Sequence, residues 1–218
     1  MDIIGIIPVK GNSERVKKKN LRKFANTNLF ELKLSQLKKT KKFKNFVVSS
    51  EDSNVLKIAK KKGFKIHLRD PYYSTSKVPM SEVYSYIASN VYSEYVAWIN
   101  ITNPLAGSKI YDDAVTIYNK VKNKHDCLLS AVKNFENYFY KKKPINFKPI
   151  PWPRSQDLNP LTSLPFVINI LERKNLIKWG SCVGKKPYFH YLDPVTSTDI
   201  DNQHNFDFCE MIYKKSKR

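Results

Sequence analysis

Residues 2–9 read DIIGIIPV and are followed at once by a polar loop, KGNSERVKKKN, at 10–20. The near-continuous apolar run is typical of a parallel strand that is covered on both faces. Further apolar stretches recur along the chain, and segments with helical spacing separate them. Residues 1–132 therefore predict the order β-α-β-α-β-α-β-α-β, an α/β fold with a mainly parallel sheet and helices on both faces.

The apolar periodicity also predicts where the individual elements lie. Helical spacing predicts helices over 29–43, 53–62, 79–91 and from 108 onward, and short apolar runs predict strands at 45–50, 64–68, 95–101 and 127–132. Asp52 and Ser108 suit the N-caps of the second and fourth helices, and Gly63 suits the end of the second.

The regularity ends after residue 132. Residues 133–163 are rich in aromatic, Lys and Pro residues and show little periodicity, which is typical of a substrate lid, of a strand pair that reaches another subunit, or of both. Strands are predicted again at 165–171 and 188–192, and a terminal helix from about 206 to 214.

The composition excludes disordered and membrane-spanning classes. The chain has 218 residues, of which 41% are hydrophobic and 27% charged, enough for one well-cored domain. Its longest apolar run, 3–9, is far shorter than the roughly 20 residues of a membrane span and lacks the features of a secretory signal. The odd number and wide spacing of the cysteines argue against a disulfide framework or a zinc site, and they predict a cytoplasmic protein: Cys127, Cys182 and Cys209.

The net charge of +20 allows two interpretations: a polyanionic partner such as nucleic acid or an anionic membrane, or a solvated basic surface. Arg occurs at only six positions, and the other positive residues are Lys in short runs along the whole chain. Because sequence-specific readers of nucleic acid rely on Arg, the pattern favours a solvated surface. We therefore expect no specific nucleic-acid or membrane partner.

The loop after the first strand has the composition of an anion-binding site. Gly11 lets backbone N–H groups approach an anion closely, and Lys10, Arg15 and Lys19 add positive charge. The loop contains neither GxxxxGK[ST] nor GxGxxG, so it is not a P-loop or a dinucleotide fingerprint. Ligands of open parallel sheets bind beyond the carboxyl ends of the strands, where this loop lies. The pattern indicates a triphosphate cradle or, alternatively, a basic surface loop.

A pair of carboxylates occurs near the end of the chain. Asp199 and Asp201 are two residues apart, so on an extended segment both would face the same side and approach one hard cation. Magnesium is the natural choice, because it prefers oxygen ligands and bridges phosphates. The alternative is a turn or cap that leads into the last helix.

Short blocks of sequence occur along the chain in a fixed order. They are IPVKGNSER at 7–15, KNL at 19–21, VVSSED at 47–52, RDP at 69–71, NITNPL at 100–105, QDL at 156–158 and TDIDN at 198–202. This order resembles the acylneuraminate cytidylyltransferases (CMP-sialic acid synthetases) and their sister family, the CMP-Kdo synthetases. The resemblance implies a Rossmann-like nucleotidyltransferase sheet, and transfer of CMP from CTP to the anomeric hydroxyl of a sialic-acid-like nonulosonate. It also implies release of pyrophosphate, Mg²⁺ as cofactor, and a homodimer with its arm at 135–152.

The resemblance also implies roles for individual residues. The loop that holds the CTP phosphates would be formed by Lys10, Gly11, Asn12, Ser13, Arg15 and Lys19. The cytosine and ribose would meet Asn20, Ser50 and Arg69. The sugar acid would face Asn100, Thr102 and Gln156. The metal carboxylates would be Asp199 and Asp201, and the catalytic group would comprise Lys10, Arg15, Lys19 and Asp201.

Three places depart from the family pattern. Lys10 stands where the family usually has Arg, which keeps the charge but loses the bidentate fork. Asn-Pro-Leu-Ala at 103–106 replaces the usual Ser-Pro-Leu-Arg, which removes a positive charge, and Ser-Leu-Pro at 163–165 replaces Glu-Asn-Gly, where the family recognises sialic acid. The acceptor therefore stays open between a nonulosonate, Kdo and a phosphonate. A catalytically silent basic binding homologue is a further alternative.

Together these features predict one cytidylyltransferase domain over residues 1–218. Within it we expect a nucleotide-binding βα core at 1–132, an irregular arm or lid at 133–163, and a substrate and metal part at 164–218.

Overall fold

The computed structural model describes residues 2–11 and 19–216. The strands there are β1 (Ile3–Pro8), β2 (Lys23–Phe24), β3 (Thr27–Asn28), β4 (Asn45–Ser50), β5 (Lys65–Leu68), β6 (Tyr95–Trp98), β7 (Cys127–Asn134), β8 (Phe139–Tyr140), β9 (Lys143–Pro144), β10 (Leu161–Ser163), β11 (Asn169–Glu172) and β12 (Pro187–Tyr191). The helices there are α1 (Leu29–Leu37), α2 (Ser53–Lys61), α3 (Met80–Ser89), α4 (Ser108–Val121), α5 (Arg173–Trp179) and α6 (Gln203–Lys215). Short 3-10 helices cover Pro71–Ser74 and Ser155–Asp157.

A mostly parallel sheet forms the centre of the molecule. β1 lies between β4 and β6 and pairs with both in parallel, so that Ile6 is in register with Val47 and Trp98. β5 pairs in parallel with β4 on one side. On the other side β11 runs antiparallel between β6 and β7, and β7 also pairs with β12 in parallel and with β10 antiparallel. The predicted mainly parallel α/β sheet is confirmed.

Helices cover both faces of this sheet, as the sequence predicts. α1, α2 and α4 pack on one face through a core that includes Phe30, Val55 and Ala114. α3 and α5 pack on the other face through Val83 and Leu176. A third apolar cluster joins the β2–β3 hairpin, α1 and α6. All three cysteines are buried and free, as expected of core residues.

Several element boundaries differ from the predicted ones. α1 ends at Leu37, not at residue 43, and after it the backbone N–H groups of Lys41 and Lys42 donate to the carboxylate of Asp112 on α4. Gly107, and not Ser108, is the N-cap of α4. The strand predicted at 165–171 is β11 at 169–172, and α6 begins at 203. α5 and the β2–β3 hairpin were not predicted.

The caps of α2 agree with the prediction. The side chain of Asp52 accepts hydrogen bonds from the backbone N–H groups of Asn54 and Val55, which satisfies two amides of the first turn. Gly63 follows the helix with φ +78°, a left-handed conformation that favours glycine.

The irregular segment 133–163 leaves the sheet after β7 and returns to it as β10. It contains the β8–β9 hairpin and is held together by Asn146, which donates to the carbonyls of Glu136 and Asn159 and accepts from the Tyr138 amide. Its exposed apolar side chains are Phe135, Phe139, Tyr140, Ile145, Ile150 and Trp152. Over residues 2–11 and 19–216, no helix has both the length and the hydropathy needed to cross a bilayer.

A lysine lies in the core beneath the sheet edge. Lys33 on α1 is fully buried, and its Nζ donates to the Asn103 carbonyl at 2.8 Å and to the Tyr111 hydroxyl. The Nζ atom also lies 4.9 Å from the centroid of the Tyr111 ring. Burial lowers the pKa of Lys33 to about 7, because the charged form loses its hydration.

The lowered pKa of Lys33 predicts a pH-dependent difference between the wild type and Lys33→Met. Above a pH of about 7 the folded protein has released a proton that the unfolded chain keeps until about 10.5. The free energy of unfolding of the wild type should therefore rise with pH relative to the variant, by up to about 1.4 kcal/mol per pH unit. Urea unfolding at pH 7, 8 and 9 measures this slope. Lys57 is exposed, so Lys57→Met is the control. If the difference in free energy of unfolding between the wild type and Lys33→Met does not change with pH, the expectation is contradicted.

Candidate active site

The carboxyl ends of β1, β4 and β6 meet at one edge of the sheet, because the three strands are parallel neighbours. The loops that follow them begin at residues 9, 51 and 99. Segment 197–201 lies against the loop that follows β6, since the Ile200 amide donates to the Thr102 carbonyl at 2.9 Å. This edge is where an open parallel sheet binds its ligands.

The predicted phosphate loop, residues 10–20, is closed at its base by Asn20. The Asn20 Nδ2 group donates to the Lys10 carbonyl at 2.8 Å, which ties the two ends of the loop together. The Gly11 amide donates to Glu51 Oε1 at 2.8 Å. A Cβ on Gly11 would collide with the Asp52 carboxylate, so this approach requires glycine. The predicted residues Asn12, Ser13 and Arg15 lie outside the described residues.

Arg69 is buried at this edge, where its guanidinium group binds several neighbouring groups. Its side chain is 2% exposed, and one guanidinium nitrogen donates to the Val9 carbonyl and to Glu51 Oε2, both at 2.7 Å. Its Nε atom donates to Ser74 Oγ at 2.8 Å, and Ser74 in turn donates to Glu51. The guanidinium thereby joins the end of β1 to the residue after β4. The prediction that Arg69 meets the nucleoside stays untested, and the structure places it in this network.

The sequence block at 47–52 predicts no role for Glu51, which lies at the centre of this network. Partial burial opposes ionisation of its carboxyl, yet hydrogen bonds from Arg69, Ser74 and the Gly11 amide outweigh it and lower the pKa of Glu51. Its oxygens thus orient a backbone N–H of the phosphate loop and hold the Arg69 charge at the same time. A glutamate directly after a buried strand, with an arginine one strand later, is the signal that could have revealed this pair.

Ser50 and Asn20 are both buried at the same edge. The Ser50 carbonyl accepts from the Arg69 amide at 2.9 Å, and its hydroxyl accepts from the Asp52 amide at 3.1 Å. Asn20 Oδ1 is buried and has no hydrogen-bond partner in the part of the chain that the structure describes. A buried amide oxygen without a partner is a vacant acceptor for a ligand N–H group.

The carboxylate segment, residues 197–201, contacts the phosphate loop directly. Lys19 Nζ donates to the Ile200 carbonyl at 2.5 Å, so the end of the loop touches the residue between the two aspartates. Ile200 is buried, whereas Asp199 and Asp201 are partly exposed, which is the alternation expected for an extended segment. The charge of Asp199 also reaches Cys209 on α6, where burial first and this charge second raise the pKa of the thiol. The α6 cap is Asn202, so the aspartates do not cap the helix.

The three predicted acceptor residues are not all brought together. Asn100 and Thr102 are partly buried just after β6, at the edge described above. Gln156 is exposed on the 3-10 helix of the arm, and no hydrogen bond among the described residues joins it to this edge. Ala106, where the family pattern has Arg, is fully buried in the core.

The profile of the cytidylyltransferase family matches residues 4–157, which is more than half of the chain and includes the phosphate loop, Glu51 and Arg69. The chain belongs to the cytidylyltransferase family. It is thus a nucleotidyltransferase enzyme, and the resemblance inferred from the sequence blocks is confirmed.

Three curated relatives show the range of the family. This cytidylyltransferase is 24% identical to post-translational flagellin modification protein B of Campylobacter coli, over 98% of this chain and 96% of that protein. It is 25% identical to N-acylneuraminate cytidylyltransferase A of Danio rerio over 91% of this chain, and it spans about half of that protein (48%). It is 27% identical to a pseudaminic acid cytidylyltransferase of Campylobacter jejuni, over 60% of this chain and 58% of that protein.

Solved structures confirm the Rossmann-like nucleotidyltransferase fold. A CMP:2-keto-3-deoxy-manno-octonic acid synthetase complexed with CTP superposes with a TM-score of 0.73, at 9% identity, over 99% of this chain and 100% of the other. A cytidylyltransferase from Leptospira borgpetersenii gives 0.63 at 18% identity, over 100% and 96%. At these identities the likeness shows the fold alone.

The Glu51–Arg69 pair predicts a loss of stability in Glu51→Gln. Removing one partner of a largely buried pair leaves the other charge uncompensated, so unfolding should become easier by about 2 kcal/mol or more. Because the pKa of Glu51 is lowered, its contribution is present above about pH 4.5 and is lost as the pH falls. The difference in free energy of unfolding between the wild type and Glu51→Gln, measured by urea unfolding, should therefore become smaller below pH 4.5.

Glu31→Gln is the matched control, since the Glu31–Lys62 pair is about one-third exposed. It should cost less than about 1 kcal/mol. Equal losses in the two variants would contradict a special role for the Glu51–Arg69 pair.

Proposed function

We propose that the enzyme transfers CMP from CTP to the anomeric hydroxyl of a sialic-acid-like nonulosonate and releases pyrophosphate. The observation that carries the proposal is the hydrogen bond from Lys19 to the Ile200 carbonyl, which brings the phosphate loop against the aspartate pair. The relatives named for N-acylneuraminate and pseudaminic acid support a nine-carbon acidic sugar as the acceptor.

In this proposal the phosphate loop positions the triphosphate. The loop at 10–20 would face the phosphates, and the positive charges of Lys10, Arg15 and Lys19 would neutralise the departing pyrophosphate. The acceptor oxygen forms a bond to the α-phosphorus while the bond from the α-phosphorus to the bridging oxygen breaks, so the electron pair leaves with pyrophosphate and the hydroxyl proton passes to solvent. Phosphoryl-type transfer depends mainly on positioning and on charge neutralisation, so a covalent intermediate with the protein is not required.

Asp199 and Asp201 would hold Mg²⁺. The donor set fits, because Mg²⁺ is commonly bound by one or two carboxylates together with phosphate oxygens, and both aspartates are partly exposed beside the phosphate loop. When bound, the ion would supply Lewis-acid activation of the α-phosphate. The protein's own part is to keep two like charges close together, which the buried Ile200 between them favours.

We also propose that the enzyme is a homodimer that uses the arm at 135–152. Several of its large apolar side chains are exposed in the single chain, and Ile150 and Trp152 are among the most exposed, at 87% and 66%. Apolar side chains clustered on a protruding segment are typical of a surface that packs on another protein.

The reaction is tested by pyrophosphate release from CTP and Mg²⁺ with a panel of acidic sugars, run beside ATP, GTP and UTP. We expect release that requires CTP and one nonulosonate. Release with Kdo or a phosphonate alone would keep the nucleotide half of the proposal and replace the acceptor. No release with any acid, together with no CTP binding by calorimetry, would contradict the proposed function and favour a silent homologue.

The aspartate pair is tested by Asp201→Ala, which should lose nearly all turnover while keeping its fold, since one of two cation ligands is gone. Asp207→Ala removes an exposed carboxylate on α6 and serves as the matched control. Circular dichroism checks the fold of both variants. Substantial turnover by Asp201→Ala would remove the metal assignment.

The dimer is tested by sedimentation velocity. The wild type should sediment at about twice the chain mass of 25.4 kDa, and the double variant Ile150→Lys/Trp152→Lys should sediment as a monomer. Tyr92→Lys changes an exposed aromatic residue outside the arm and should leave the dimer intact. A monomeric wild type would overturn the proposed dimer.

A further inference from the structure

Asn103 is a fully buried amide at the centre of the candidate active site. Its Nδ2 group lies within hydrogen-bond distance of three carbonyl oxygens: Ser197 at 3.1 Å, Pro165 at 3.3 Å and Thr198 at 3.4 Å. An amide group has two N–H donors, so it can satisfy two of these carbonyls at once or share its donors among them. A single side chain thus joins the loop after β6 to two segments that are distant in sequence.

The backbone around Asn103 is itself anchored from the opposite side. Lys33 on α1 donates to the Asn103 carbonyl at 2.8 Å, and Gln36 on the same helix donates to the Pro104 carbonyl at 2.6 Å. α1 packs on the sheet through buried Phe30, so its side chains provide a rigid support. The Asn103 side chain therefore extends from a fixed backbone and not from a mobile loop.

The carboxylate segment follows a turn, in which the Ser197 amide donates to the Asp193 carbonyl and the Thr198 amide donates to the Val195 carbonyl. Residues 197–201 form no helix or strand, so their carbonyl and amide groups need partners elsewhere. The Ile200 amide and carbonyl are bound by Thr102 and Lys19, and the carbonyls just before Asp199 are bound by Asn103. Two carboxylates that bind one cation repel each other when the cation is absent, so their backbone must be held from outside.

We propose that Asn103 is a positioning residue that holds the carboxylate segment in its cation-binding geometry and thereby sets the affinity of the enzyme for the divalent cation. This rests on the proposed function, in which Asp199 and Asp201 bind Mg²⁺. Asn103 is fully buried and acts through the carbonyls of 197 and 198, so it is not itself a ligand or a catalytic group.

The test compares Asn103→Leu with the wild type. A leucine side chain has a similar volume but no donor, so it cannot bind the same carbonyls. Mn²⁺ binding in the presence of CTP, followed by electron paramagnetic resonance, should weaken about 10-fold or more. The Mg²⁺ concentration for half-maximal turnover should rise by a similar factor, while kcat at saturating Mg²⁺ returns to within about threefold of the wild type. Amide hydrogen exchange at Ile200 should become faster even without metal.

Two further variants keep the test decisive. Gln36→Ala removes an anchor of the same loop that does not contact 197 or 198, and it should leave the Mn²⁺ affinity within twofold. Asn103→Asp keeps the side-chain volume but replaces the donor, so it should weaken Mn²⁺ binding as Asn103→Leu does. Unchanged Mn²⁺ affinity in folded Asn103→Leu would overturn the proposal. Failure of both Asn103 variants to fold would assign the residue to the fold itself and would overturn it too.

Asp201→Ala in the same Mn²⁺ assay separates this proposal from the function on which it rests. If Asp201→Ala binds Mn²⁺ as the wild type does, the cation site itself is wrong. If Asp201→Ala loses Mn²⁺ and Asn103→Leu does not, the cation site stands and only the role of Asn103 falls.

Discussion

The buried guanidinium of Arg69 is the contact on which the arrangement of the loops after β1 and β4 depends. It binds the Val9 carbonyl after β1 and the Glu51 carboxylate after β4, while its own backbone follows β5. One side chain therefore joins the ends of three neighbouring strands. A buried ion pair adds little net free energy compared with apolar packing, but its directional hydrogen bonds select one arrangement of the loops. Because Glu51 also binds the Gly11 amide, the phosphate loop inherits that arrangement.

The carboxylate segment, residues 197–201, is organised differently, by hydrogen bonds to an irregular backbone. The segment 197–201 has no ladder or helix of its own and is bound from three directions by Thr102, Asn103 and Lys19. Ile200 anchors it further by entering the apolar cluster between α1 and α6. Functional groups on loops can be placed accurately when a rigid scaffold satisfies the loop's polar groups, and this segment is an example.

Helix α1 supports the loop after β6 at a cost in stability. Lys33 is buried without its full hydration, which is why its pKa falls to about 7. In return it binds the Asn103 carbonyl, and Gln36 binds the next carbonyl along the chain. An apolar residue at position 33 would pack well but would leave the Asn103 carbonyl without this donor. Buried polar groups of this kind favour one geometry of a site over others, at the expense of free energy of unfolding.

Sequence alone determined the alternation of strands and helices in residues 1–132 and the edge at which the ligand loops meet. A parallel strand that is buried on both faces needs a near-continuous apolar run, and a helix that packs on it needs apolar residues at helical spacing. Both patterns are visible in the local sequence. Only the tertiary structure decided the directions of β10 and β11, the early end of α1, and the buried roles of Glu51 and Asn103. Glu51 binds Arg69, which is 18 residues away, and Asn103 binds the Ser197 carbonyl, which is 94 residues away. A hydrogen bond between residues so far apart leaves no periodic pattern in either segment.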